Sequence, residues 1–121
     1  MKTVTFQIIG KYLDQIKAGT KVEEYRAISE HNAKLLCDHI DKKDLKPGEH
    51  YVTHFEEIWR VKKDITHVQF LNGYRTDRRK LLCEIKAIEL NQFNNMVPEG
   101  MEPGTTCFTL YLGQVSDNSE S

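Results

Sequence analysis

The sequence predicts an α+β protein, a small and mainly antiparallel β-barrel with two or three short helices. Three observations predict it. Alternation of apolar and polar residues, the period of a half-buried strand, recurs along much of the chain. Unambiguous helical periodicity is found in two short stretches within the first 40 residues. Strands therefore neighbour one another in sequence, separated by turn signals such as Asn72-Gly73, as in antiparallel sheets.

The elements follow in order. Residues 3–9 place Val4, Phe6 and Ile8 on one face of a strand. Residues 11–18 change period: Tyr12, Leu13 and Ile16 form one apolar stripe of a short helix. Gly19 follows at once, where a helix end favours a residue able to take positive φ. Residues 22–26 read as a second strand. Ser29 is suited to cap a helix over 30–40, whose Ala33, Leu36, Cys37 and Ile40 line one face. A charged connector, 41–49, ends in the turn signal Pro47-Gly48. Residues 50–63 fit either period, and are assigned mostly to strand because Tyr51-Val52-Thr53 favours it. Residues 66–71, 80–90 and 107–115 are strands, and 91–105 form a long loop rich in Asn, Pro and Gly. A single domain over 1–115 is expected, followed by a disordered polar tail at 116–121.

Composition excludes several classes. With 39% hydrophobic and 29% charged residues, the 121-residue chain is ordinary for a soluble domain. No apolar run approaches the length of a membrane span, and the first residues lack the apolar block of a signal peptide. Three widely spaced cysteines, Cys37, Cys83 and Cys107, imply free thiols, hence a reducing compartment and a cytoplasmic location. Seventeen basic against 18 acidic residues give a net charge of −1. Broad clamping of duplex nucleic acid, which draws on a surplus of cations, is thereby disfavoured. A local excess at Arg75, Arg78, Arg79 and Lys80 reads first as a solvated face beside a turn.

The chemistry concentrates in residues 19–26, Gly-Thr-Lys-Val-Glu-Glu-Tyr-Arg. A glycine-ended helix lets the chain turn sharply and project Lys21. Alternation along the following strand would put Val22, Glu24 and Arg26 on one face, and Lys21, Glu23 and Tyr25 on the other. Arg26 can hold a carboxylate, with Glu24 the obvious partner, or a phosphate in the same fork. Lys21 offers a point charge for phosphate, or a nucleophile or base. Tyr25 is an ordinary strand aromatic or a surface on which a base stacks.

Gly19, Lys21, Glu24 and Arg26 fit G-x-K-x-x-E-x-R, the hallmark of the ASCH domain, a branch of the PUA-like superfamily. The motif follows a strand and a short helix, as it does in that family. Asn72-Gly73-Tyr74 before a long strand resembles the family's middle, and residues 109–115, Thr-Leu-Tyr-Leu-Gly-Gln-Val, resemble its closing strand. The resemblance covers most of the chain and is least typical between about 41 and 63. It implies a β-barrel with a cleft beside the motif that binds RNA, a nucleotide or a modified nucleoside, without cofactor. The residues and the resemblance together give a candidate ligand-binding set of Lys21, Glu24, Tyr25, Arg26, Asn72, Tyr74 and Arg75, of which Asn72 is first of all a turn residue. The family also includes an amidohydrolase acting on acetylcytidine and at least one nuclease, so hydrolysis is the alternative function, with Lys21 and Glu24 as its catalytic residues. In the amidohydrolase branch a loop lysine, a loop threonine and a distant glutamate carry the reaction. Lys21 matches the lysine, but Glu24 occupies the threonine position, and the distant glutamate has no counterpart here. Recognition is therefore expected ahead of catalysis.

Other constellations are weaker. His50 and His54, with Cys37 and His39 upstream, suggest zinc, but on a strand the two histidines would stand about 13 Å apart. No metal site is expected. Cys83 and Cys107 fall within alternating strands and read as core, and Trp59 reads as a core or rim residue.

Overall fold

The computed structural model describes residues 1–54, 56–73, 78–98 and 101–117, the side chain of the last excepted. The protein is α+β with mostly antiparallel strands. Its elements are β1 (Thr3–Gln7), α1 (Gly10–Ala18), β2 (Glu23–Ala27), α2 (Glu30–Leu36), β3 (Cys37–Ile40), β4 (Tyr51–His54), β5 (Glu57–Val61), β6 (His67–Asn72), β7 (Arg79–Gln92) and β8 (Thr106–Asp117), with one 3₁₀ turn at Lys42–Asp44. The strands form a five-stranded sheet, β1-β6-β7-β8-β2, and a three-stranded sheet, β3-β5-β4. Among the described residues, no helix is long and apolar enough to cross a membrane.

The chain divides into two compact units, each discontinuous in sequence. The first comprises Met1–Glu24, Asp64–Ala87 and Leu110–Ser121. Here β1 lies parallel to β6, with Thr3 opposite His67 and Gln7 opposite Leu71. The parallel pairing was not expected from the sequence. It joins strands far apart in the chain, as parallel neighbours must be, because they need a long crossover. On its other side β6 runs antiparallel to β7, from His67 opposite Glu84 to Asn72 opposite Arg79. Alternation then turns Val4 and Phe6, Val68 and Phe70, and Leu81 and Cys83 inward, all of them buried. Helix α1 buries Leu13 and Ile16 of the expected stripe, while Tyr12, its third member, is only half-buried. Asn72 ties this layer to the helix start by donating from Nδ2 to the Ile8 carbonyl, 3.0 Å. Gly73 has φ +89°, but β7 resumes only at Arg79, so the connection is longer than a two-residue hairpin turn.

The second unit comprises Tyr25–Lys63 and Ile88–Thr109. Ser29 caps α2 as expected, its hydroxyl accepting from the Asn32 amide at 3.1 Å. The helix ends at Leu36, however, and not at Ile40. Cys37–Ile40 is strand β3, paired with β5 from Cys37 opposite Val61 to Ile40 opposite Ile58. Cys37 and Ile40 carry apolar side chains that satisfy either period, and only the neighbouring β5 edge selects strand. The ambiguous 50–63 segment forms β4 and β5, an antiparallel pair that sets Val52 opposite Trp59. Trp59 is buried and packs against the exposed ring of His39, with centroids 5.2 Å apart.

Three boundaries differ from expectation. Strand β2 begins at Glu23 and not at Val22, which is 59% exposed. Strand β7 continues to Gln92, so the long loop begins at Phe93; the loop's ends are closed by the Gly104 amide donating to the Phe93 carbonyl at 2.8 Å. Strand β8 runs to Asp117, two residues into the expected tail, and residues 118–121 lie outside the described residues.

Candidate functional site

The segment expected to carry function is built on the end of α1. Gly19 takes the left-handed conformation, φ +81°, and its amide donates back to the last turn of the helix. The Gln15 carbonyl then collects the amides of Thr20 at 3.0 Å and Lys21 at 3.1 Å, and the Thr20 hydroxyl at 3.1 Å. Helix ends leave carbonyls without intrahelical donors, and this wrap satisfies one of them while holding the Lys21 backbone against the helix. One residue on, the Val22 carbonyl accepts from the Leu112 amide at 2.9 Å, which anchors the entry to β2.

Lys21 thus precedes the strand, and regular alternation does not govern its direction. Its ammonium lies 3.6 Å from a Glu24 carboxylate oxygen, an i,i+3 pairing that strand geometry would have placed on opposite faces. The structure thus brings Lys21 to the Glu24 carboxylate, for which the sequence had suggested Arg26 as a partner. The side chains of the pair are only 17% and 8% exposed. At such separations the gross attraction is about 4 kcal/mol where the effective dielectric is near 20. Desolvation offsets much of it, so burial of such a pair is weak evidence for a stabilising role.

Further groups of this unit interact with the pair or with one another. The Lys21 ammonium stands 5.4 Å from the centroid of the Tyr12 ring, and the Lys11 ammonium 5.5 Å from the same centroid. Such distances permit cation–π attraction. The buried Cys83 thiol of β7 is pushed up to about 12 by burial and, secondarily, by the negative charge of Glu24. A thiol so disfavoured as thiolate is a packing group and not a nucleophile.

Not every sequence-predicted residue belongs to the first unit. Tyr25 and Arg26 belong to the second unit. There Tyr25 meets Phe93 edge to face, centroids 5.3 Å apart with an interplanar angle of 86°, at the base of the 93–105 loop. Arg26 is half-buried on β2. Asn72 has its side-chain amide committed to Ile8, as described. Tyr74 and Arg75 lie outside the described residues. Within the basic run that follows, Arg79 pairs with Asp14 of α1 at 2.6 Å. Among the described residues, no group of three or more His, Cys, Asp or Glu side chains gathers at metal-binding distance. Cys37 is buried, and burial together with the charge of Asp38 pushes its thiol up to about 12 against the opposing effect of Lys62.

Sequence reasoning missed Lys11 and Tyr12 as site residues. Tyr12 had been accounted for by the apolar stripe of α1, and Lys11 had been given no role. The signal that could have found them is the helix-ending Gly19, because a chain reversal there returns Lys21 along the helix toward its first turn. No family model, curated protein or solved structure matches the chain.

Proposed function

We propose that this protein is an RNA- or nucleotide-binding module whose ligand is engaged at the Lys21–Glu24 pair. One observation carries the reading: a lysine and a glutamate, both largely withdrawn from solvent, stand 3.6 Å apart at a hydrogen-bonded helix-end loop. Withdrawing a charged pair from water is costly, and where it stabilises little, selection for recognition is the better account. The ammonium suits a phosphate or carbonyl oxygen, and the carboxylate suits the amino or imino donors of a base edge. The G-x-K-x-x-E-x-R resemblance supports the same conclusion, because Lys21 and Glu24 are two of its four residues. Membership of the ASCH family, and with it a PUA-like barrel, is part of this proposal. The strand, short helix, left-handed glycine and strand at the start of the chain support it.

The test is binding of single-stranded RNA and a panel of nucleosides and nucleotides to the wild type and to Lys21→Ala. A ligand bound by the wild type and lost in the variant is the expected result. Equal binding by both proteins, or binding by neither, removes the proposal.

The pair also supports a hydrolytic reading, in which Glu24 acts as general base beside Lys21 on an acylated nucleoside or on RNA. The ion pair weighs against it, since an ammonium held by a carboxylate has no lone pair to offer as nucleophile. Turnover of acetylcytidine or labelled RNA by the wild type, abolished in Lys21→Ala and Glu24→Gln, would place hydrolysis ahead of recognition.

A further inference from the structure

The two edges of the five-stranded sheet differ in composition. One edge is β2, which carries Glu23, Glu24 and Arg26 within its five residues. Edge strands present backbone groups that can pair with another chain, and charged side chains are a common protection against this. The other edge is β1, and it lacks that protection. Residues 3–9, Thr-Val-Thr-Phe-Gln-Ile-Ile, contain no charge, proline or glycine. Uncharged, β-prone runs of this length are the ones that pair readily with further strands. The ladder to β6 shows which peptide groups face outward. The Lys2 carbonyl accepts from the His67 amide at 3.2 Å, and the Ile8 amide donates to the Leu71 carbonyl at 2.9 Å. Even-numbered positions of β1 therefore direct their peptide groups to β6, and alternation turns those of Thr3 and Thr5 to the other side. Among the described residues β6 is the one strand paired with β1, and both threonines are exposed.

What fits this edge follows from the symmetry of β1. Polarity along the strand is mirrored about Thr5: Val4 and Phe6 flank it as apolar residues, and Thr3 and Gln7 follow as polar ones. An antiparallel copy related by a two-fold axis at Thr5 sets Val4 opposite Phe6 on the inward face and Thr3 opposite Gln7 on the other. Just beyond the strand the same register sets Met1 opposite Ile9, two large apolar residues that are 86% and 66% exposed. An isologous copy satisfies each of these matches twice. We propose that the β1 edge is a self-association surface, on which a second copy of this chain adds its own β1 antiparallel, Thr5 facing Thr5. The two five-stranded sheets then continue into one another. The amide and carbonyl of Thr5 exchange hydrogen bonds with those of its counterpart, and Met1 and Ile9 are covered at both ends of the seam.

Sedimentation equilibrium over a concentration series tests this with the wild type, Thr5→Lys, Thr5→Glu and an equimolar mixture of the two variants. Thr5 is exposed, so both variants are expected to keep the wild-type circular dichroism spectrum. The wild type should dimerise with little dependence on salt, because residues 3–9 carry no charge. Each variant alone sets like charges across the two-fold axis and should weaken dimerisation about 10-fold or more. The mixture faces lysine with glutamate and should recover the dimer, which added salt then weakens. Recovery requires position 5 to face position 5, so non-specific adhesion does not reproduce it. A wild type that stays monomeric at about 1 mM overturns the proposal and leaves the edge to a strand of another protein. Equal dimerisation of the wild type and both single variants, or no recovery in the mixture, overturns it as well, because Thr5 would not then face its own copy.

Discussion

Among the described residues, Glu24 in the first unit and Glu49 in the second have largely buried side chains, and the two are held differently. In the first unit Glu24 sits 3.6 Å from the ammonium of Lys21, both side chains less than a fifth exposed, with the Tyr12 ring beside the ammonium. In the second unit the Glu49 side chain is 14% exposed, but its cations reach it from solvent: Arg60 at 3.4 Å, 31% exposed, and Lys63 at 4.0 Å, 75% exposed. The Glu49 contacts fasten a charged connector to the β4–β5 hairpin, and solvent screens them. Glu24 and its partner are sequestered together. Placement of the cation, more than burial of the carboxylate, separates a fastening from a candidate site.

The largest expected effect follows the thiols that accompany these charges. Cys83 lies near Glu24 and Cys37 near Asp38, and both are pushed from 9.0 up to about 12. A folded-state value above the unfolded one means that the native protein holds the proton longer. Stability is then unaffected below about pH 9 and falls between about 9 and 12, by about 1 kcal/mol per pH unit for each thiol. Urea midpoints at pH 8 and 10 should show a loss that is smaller in a Cys37→Ala, Cys83→Ala variant. An equal loss in that variant would assign the decline to other groups.

Next in size is removal of the sequestered cation. Lys21→Ala leaves Glu24 without its ammonium and should lower stability by about 1–3 kcal/mol. Lys21→Met combined with Glu24→Gln should lose less than the two single changes added together. Denaturant titration of the four proteins reads this coupling, and strict additivity would mean that the pair is solvated and no different from Glu49 and its partners. Gly19→Ala should cost about 1 kcal/mol, because φ +81° is strained for any residue with a Cβ. It should also weaken whatever ligand Lys21 binds, since the same turn places that residue. Smallest is Glu49→Gln, expected to cost below about 1 kcal/mol at low ionic strength and nothing measurable in 0.5 M salt, near the limit where screening removes exposed pairs. A salt-independent loss at Glu49 would erase the contrast with Glu24.

Local signals were legible wherever one residue type answers a local requirement. Gly19 takes the left-handed helix end, Ser29 caps α2, and Leu13 and Ile16 face the core, as their positions predicted. The strand at 37–40 was not legible, because Cys37 and Ile40 fit a helix face equally well until β5 supplies an edge to pair with. The approach of Lys21 to Glu24 was hidden for a similar reason. The period-2 rule was extended to Lys21, a residue that lies before the strand and is directed by the helix-end loop.

The sequence by itself determined the α+β class, the order of most elements and the segment in which the charged chemistry is concentrated. These depend on hydrophobic period and on backbone preferences of single residues, which act over a few positions. Only the tertiary structure decided that β1 lies parallel to β6, that Glu24 pairs with Lys21, and that Lys11 and Lys21 share the Tyr12 ring. Each of these is a meeting of groups whose approach is set by chain reversal and strand pairing, and no local pattern of side chains encodes the distance between them.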